Sequence, residues 1–176
     1  MFLSEAQRKY LIQDQIIGSA IFNALLNALL AWLTFRRHAS VPMKGDPSII
    51  GDAIGTAVLL PLLTCVIVTP LVRKVLKTGK LEPLVTPSPA RSMVLWLPRL
   101  SFARGLVLAL GALATCAPIY LGLLVVAGID QLSVGAFVAI KTVYAALMAG
   151  LCAPVIALYV MAAESGASSQ ALLSND

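Results

Sequence analysis

A lysine and an aspartate lie inside long apolar stretches of this chain. Lys141 follows Val134, the start of an apolar run, by seven residues, which is roughly 10 Å along a helix. Asp52 lies near the start of another run at a compatible depth, and Asp130 is the second candidate partner. We expect Lys141 to pair with Asp52 near a cavity, because ionisable residues inside a membrane mark ion or substrate pathways. Snorkelling of the long lysine side chain to the membrane interface is the alternative.

Two asparagines, Asn23 and Asn27, stand four residues apart in the first apolar run, so a helix places them on one face. A buried amide needs hydrogen-bond partners. The pair therefore either clasps a neighbouring helix or lines a polar cavity. With Lys141 and Asp52, these asparagines are the candidate residues of a substrate or ion pathway.

The other reactive residue types give little support to catalysis. Cys65, Cys116 and Cys152 lie in three separate apolar runs without motif spacing. We expect them to act as small hydrophobes rather than as ligands of a soft metal. His38 is the only histidine, and neither a Ser/His/Asp set nor a glycine-rich phosphate loop occurs. The sequence therefore predicts no enzyme, no metal site and no cofactor.

Four apolar runs must position these residues, at about 15–35, 49–72, 102–127 and 134–163. Each has the roughly 20 residues that a helix needs to cross a hydrocarbon core about 30 Å thick. Charged residues make up 12% of the chain, against about 25% in soluble domains. We predict an all-α polytopic membrane protein, with residues 1–176 forming a single domain of four transmembrane helices.

A basic linker at residues 73–101 separates the runs two and two. With Arg104 just beyond it, this segment carries seven cations against one acid, Glu82. Because Lys and Arg concentrate on the cytoplasmic side, we expect a bacterial inner-membrane protein whose linker and termini are cytoplasmic. We expect the linker to contact anionic lipid headgroups rather than nucleic acid. The candidate lipid contacts are Arg73, Lys74, Lys77, Arg91 and Arg99.

Shorter segments flank the four runs. Ser4-Glu-Ala-Gln7 fits a capping box, so the first helix could begin there and continue to Trp32. Ser92–Leu97 is apolar but too short to span, which favours an interfacial anchor around Trp96 over a plain loop. Residues 164–176 are rich in Ser and Ala, and we predict a disordered tail there.

Small residues predict how the helices pack, because close backbone contact favours helix association in lipid. Small residues recur every four positions in the fourth run. The packing candidates are Ala145, Ala149, Gly150 and Ala153. We expect this helix to be the central packing element, in contact with the other helices or with a second copy. The ordinary alanine content of an apolar helix is the alternative explanation.

The two halves share a pattern that fits two tandem helical hairpins. Thr69-Pro70 and Ala153-Pro154 each place a small residue and a proline deep in a run, and two aliphatic residues follow. The first half also resembles a family of small uncharacterised bacterial proteins with two membrane helices, in the run Pro70-Leu-Val-Arg73 that closes the second helix. The resemblance implies a membrane architecture and no particular activity.

Two classes of function stay open. One is a transporter or channel for a small solute or lipid, which the buried polar residues favour. Pro61, Pro118 and Pro154 add predicted kinks that suit gating. The other is a non-catalytic accessory or assembly subunit of a larger membrane complex, favoured by the absence of a charge at mid-bilayer. We favour a transporter with a homo-oligomer or a membrane-protein partner, and place its site where the first, second and fourth helices meet.

Overall fold

The computed structural model describes residues 3–84 and 94–173, with side chains described as far as Glu164. This part of the chain contains four helices that are long and apolar enough to cross a membrane. We call them the first to fourth spans: Glu5–Phe35, Ile49–Lys77, Ser101–Val126 and Val134–Glu164. Only two three-residue strands accompany them among these residues. The all-α prediction is confirmed, and the architecture fits an integral membrane protein.

The first span begins ten residues before the apolar run at 15–35. It consists of α1 (Glu5–Tyr10), a π-helical segment (Leu11–Gly18) and α2 (Ser19–Phe35). Ser4 Oγ accepts a hydrogen bond from the Gln7 N–H at 3.2 Å, and the Ser4 N–H donates to Gln7 Oε1 at 3.0 Å. This reciprocal pair satisfies two N–H groups that a helix start leaves free. The predicted capping box is confirmed.

The second span is continuous through its prolines, whereas the third span breaks close to its proline. α3 (Ile49–Lys77) continues through Pro61 and Pro70. The third span divides into α4 (Ser101–Ala114) and α5 (Cys116–Val126), because Thr115 leaves helical geometry with φ −122° and ψ −61°. Pro118 follows three residues later, and a proline has no N–H for the preceding turn and crowds its carbonyl. Of the three predicted kinks, this one coincides with a break in the helix.

The fourth span is the beginning of a longer helix, α6 (Val134–Leu173). Residues 164–173, where the sequence predicts a disordered tail, are helical in this structure. The segment also contains two alanines and two leucines, which are strong helix formers. Extending an anchored helix avoids the costly step of nucleation.

A small sheet closes one end of the bundle, which we call the strand end. β1 (Ser40–Pro42) and β2 (Gln131–Ser133) pair antiparallel, with Val41 opposite Leu132. The sheet joins the two connections at this end, and the buried Val41 packs with Phe35 and Phe137 of the first and fourth spans. The opposite end carries the basic linker, and we call it the linker end.

The fourth span lies at the centre of the bundle. The first span packs against it, and the second span packs against both the third and the fourth. The small-residue positions Ala145, Ala149 and Ala153 are fully buried, and Gly150 faces Ile16 and Ala20 of the first span. The predicted central role of the fourth helix agrees with this packing.

The first and second spans make few contacts with each other. The bundle therefore differs from the two tandem hairpins that the repeated pattern suggested, since the first helix packs on the fourth and not on its neighbour in sequence. Lipid tails give adjacent helices no hydrophobic reason to associate. Which helices pack together therefore depends on where small residues allow two backbones to come close. An open groove remains between the first and second spans.

The described parts of the linker pack against the helices at the linker end. Leu81, Leu84, Val94 and Leu97 are buried against the fourth span, whereas Trp96 is 79% exposed. Within the predicted anchor Ser92–Leu97, residues 92 and 93 lie outside the described part of the chain. The described remainder buries Val94 and Leu97 and exposes Leu95 and Trp96, an arrangement that suits a membrane interface.

Candidate functional site

Lys141 and Asp52 form an ion pair between the fourth and second spans, joining Nζ to Oδ1. Their side chains are only 7% and 17% exposed. Asp52 lies in the first turn of α3, where the helix dipole favours a carboxylate. The predicted pairing is confirmed, and the ammonium meets a carboxylate instead of reaching solvent. Asp130, the other predicted partner, instead accepts the Met43 N–H through its backbone carbonyl at 2.8 Å.

A groove of about 640 Å³ runs between the first and second spans. Lys141 and Asp52 lie toward its strand end, and Tyr10 and Asp14 toward its linker end. Much of its wall is apolar and outward-facing, as the 59% exposure of Phe22 and the equally accessible Leu59 and Leu63 show. The groove therefore opens sideways, toward the surroundings of the bundle.

Two ladders of polar side chains line this groove. In the first span they recur every four residues, at Gln15, Ser19, Asn23 and Asn27. In the second span they occupy the same periodicity, at Asp52, Thr56 and Thr64, with Leu60 between them. Because positions four apart share a helix face, each ladder forms a polar stripe, which Leu60 interrupts in the second span. The antiparallel spans bring the stripes to opposite walls of one groove.

The two asparagines do not clasp another helix. Asn23 Nδ2 donates to the Ser19 carbonyl and Asn27 Nδ2 to the Asn23 carbonyl, both at 3.0 Å. Within the described residues, their amide oxygens accept no hydrogen bond. Of the two predicted roles, the structure shows the cavity-lining one. The backbone carbonyls also fix which end of each amide is the donor, because a carbonyl can only accept.

The π-helical segment shapes the linker end of the groove. Asp14, Gln15 and Gly18 belong to this segment and all line the groove. Gln15 is only 6% exposed, and its Oε1 has no hydrogen-bond partner. A π-helix is rare and frequently occurs at functional sites. Sequence reasoning missed Gln15, Ser19, Thr56 and Thr64, although their four-residue spacing is visible in the sequence.

Arg104 is a buried cation that the sequence placed among the linker charges. It is fully buried in the third span. Its Nη2 donates to Thr69 Oγ1 at 2.7 Å, and its guanidinium carbon lies 4.1 Å from the centre of the Tyr159 ring. Its Nε has no partner. Charge pattern alone gave no signal for this burial, because it depends on Thr69 and Tyr159 arriving from two other spans.

The linker cations lie on the surface of the linker end. Lys74, Lys77 and Arg99 are exposed, and Arg73 Nε lies 3.1 Å from Glu164 Oε1. Arg91 lies outside the described residues. The expected contact of these cations with anionic lipid headgroups stays a prediction.

The three cysteines carry free thiols, with Cys65 buried and Cys116 and Cys152 half-buried. Across residues 3–84 and 94–164, no group of three or more His, Cys, Asp or Glu side chains could hold a metal ion. The groove is therefore the place in the described structure where polar, partly unpaired side chains meet a space large enough for a ligand.

Comparisons with known proteins give no match, so the proposed function depends on the groove. The resemblance of the first helix pair to small two-helix membrane proteins stays a prediction. No protein-family model, curated protein or solved structure matches this chain.

Proposed function

We propose that this protein is a lipid transporter in which the headgroup follows the polar ladders of the groove while the acyl chains stay in the surrounding membrane. One observation carries the proposal: two polar stripes face each other along a groove whose rim is apolar and open sideways. This combination suits an amphiphile. A closed, water-filled pore would serve a small polar solute better.

The energetic reason is the cost of moving a polar headgroup through hydrocarbon. A polar group that loses water without gaining a hydrogen bond pays several kcal/mol, roughly 2 to 7. Positions four residues apart lie about 6 Å apart along a helix, so a headgroup in the groove meets a new polar side chain at each such step. Each contact offsets part of the desolvation cost and lowers the barrier to crossing.

An accessory subunit would use the same surface differently, with a partner helix covering the groove. A transmembrane helix about 10 Å wide and 30 Å long occupies roughly 2,000 Å³. The groove encloses about 640 Å³, within the range of about 300 to 1,000 Å³ typical of small-ligand sites. The groove is therefore of a size that suits a lipid headgroup with part of its acyl chains, whereas a helix could insert only one face.

The test is transbilayer movement of a fluorescent phospholipid in liposomes that contain the purified protein. Gly55 lines the groove, and a Cβ at this position would meet nothing within 4 Å. Gly55→Phe should therefore fill the groove without disturbing the packing and reduce the rate at least about fivefold. Gly122→Phe is the matched control, because Gly122 has the same open surroundings in the third span, away from the groove.

The proposal fails if liposomes with and without protein move lipid at the same rate, or if Gly55→Phe retains the full rate. Purification in native lipid tests the competing role. A stable membrane partner that is lost on Gly55→Phe but kept on Gly122→Phe would identify the groove as a subunit interface instead.

A further inference from the structure

We infer that the cargo is a phospholipid whose headgroup carries a primary ammonium, an inference that rests on the proposed lipid transport. The charges of the groove are the first reason for this assignment. Among the described residues, the charged ones that line it are Asp14, Asp52 and Lys141, which sum to one net negative charge. The whole chain carries a net charge of +5. The groove is thus acidic in a basic protein, and complementary charge favours a cationic group.

The lysine in the groove does not oppose this preference. Its ammonium is bound to the Asp52 carboxylate, so the two charges cancel at the strand end. Asp14 provides the remaining charge at the linker end, where a headgroup would enter from the membrane surface. The described residues contain no ion-pair partner for Asp14.

The hydrogen-bonding capacity of the groove is a second, independent reason for this assignment. The amides of Asn23 and Asn27 already use Nδ2 on backbone carbonyls, and their oxygens accept no hydrogen bond from the part of the chain that the structure describes. Gln15 lines the same groove, is 94% buried and has an Oε1 without a partner. An unsatisfied buried acceptor costs about 1 to 3 kcal/mol. The groove wall therefore holds amide oxygens with spare acceptor capacity, those of Asn23 and Asn27 and, after a turn of its side chain toward the groove, that of Gln15. A ligand that donates hydrogen bonds suits such a wall.

A primary ammonium meets both requirements, because it carries a positive charge and three N–H donors and has no acceptor. A quaternary ammonium supplies the charge without the donors. A phosphate without an ammonium beside it leaves a net negative headgroup that Asp14 would repel, whereas the ammonium of a zwitterionic headgroup neutralises its phosphate. The outward-facing apolar wall at Phe22, Leu59 and Leu63 adds a surface for acyl chains. These features together select an aminophospholipid over a free amine in water.

The experiment uses the full chain in liposomes and three fluorescent phospholipids with identical tails and ethanolamine, choline or glycerol headgroups. The wild type should move the ethanolamine lipid at least about fivefold faster than the glycerol lipid, with the choline lipid between them. Asp14→Asn and Gln15→Leu should each reduce this headgroup preference. Glu5→Gln is the matched control, since it removes the same charge from an exposed site on α1 that does not line the groove.

The outcomes separate this inference from the function on which it rests. The expected slowing of lipid movement in Gly55→Phe, together with a headgroup preference that Asp14→Asn reduces, supports both. Movement that Gly55→Phe blocks but that shows no headgroup preference overturns the inference and leaves lipid transport standing. Free ethanolamine is added as a competitor in a parallel sample and should have no effect. If it is itself taken up and stops lipid movement, the cargo is a soluble amine and the assignment to a lipid is wrong.

Discussion

The ion pair of Lys141 and Asp52 shows how a buried charge is tolerated between two spans. Either charge alone would face the desolvation cost of a low-dielectric interior. Each group offsets that cost for the other, and Phe137 adds a ring whose centre lies 6.0 Å from the ammonium. The pair also joins the second span to the central fourth span. It therefore has a structural role whatever the groove carries.

Replacing Lys141 with Met should leave Asp52 without its partner and destabilise the fold by about 3 kcal/mol. The double variant Lys141→Met/Asp52→Asn should recover at least half of that loss, because no charge is then unpaired. Thermal unfolding in detergent measures both, with Lys80→Met as an exposed control. A single variant as stable as the wild type would show that the pair contributes nothing to folding.

Arg104 is accommodated by a different arrangement. No carboxylate accompanies it in the described part of the chain. Neutral oxygens of Thr69 and Pro98 accept from its guanidinium, and the Tyr159 ring faces the cation. The planar guanidinium suits such shared contacts, because it offers five donors and stacks on aromatic faces. Arg104 thereby ties three spans together near the linker end.

The helices pack through small residues, and the contact between the second and third spans is the tightest example. A Cβ added at Gly105 would lie 3.0 Å from the Leu62 Cα and 3.2 Å from the Cys65 Cβ. Backbone atoms cannot rotate away from such a clash. The absence of a side chain at Gly105 therefore sets how closely α4 approaches α3.

Gly105→Ala should push these two helices apart and lower stability by about 1 to 3 kcal/mol. Gly111→Ala is the matched control, since Gly111 lies in the same helix with open space around it. That change should be neutral or stabilise by up to about 1 kcal/mol through helix propensity. Equal unfolding temperatures for both variants, measured in the same detergent, would contradict the close-packing argument.

Periodicity in the sequence predicts part of the groove. The spacing of Asn23 and Asn27 indicated a shared polar face, and the depths of Lys141 and Asp52 indicated their pairing. The same reasoning extends to Gln15 and to the threonines of the second span. Residue spacing could not show that the two stripes face each other across an open space, because spacing fixes the direction of a side chain only relative to its own helix.

Across the whole molecule, charge and polarity are separated by position. The basic linker covers one end, the two-stranded sheet closes the other, and the acidic groove connects them along one side. The central fourth span contacts the first and second spans and holds them apart from each other. The expected orientation, with the cationic linker end in the cytoplasm, stays a prediction.

Labelling of single cysteines tests that orientation, in a variant whose Cys65, Cys116 and Cys152 are replaced by Ala. Ala39 and Lys80 are exposed at the strand end and the linker end. In cells whose outer barrier has been removed, a membrane-impermeant maleimide should label Ala39→Cys. It should label Lys80→Cys only after permeabilisation. The reverse pattern would invert the topology without affecting the groove.

The sequence by itself determined the four spans, the capping box and the candidate ion pair. Each depends on local quantities: summed hydropathy, residue type at a helix start, and depth counted along a helix. Only the tertiary structure decided that the first span packs on the fourth, that Arg104 is buried, and that a groove with two polar walls remains open. The physical reason is that lipid is as apolar as the helix surfaces, so hydropathy identifies a span without identifying its neighbours.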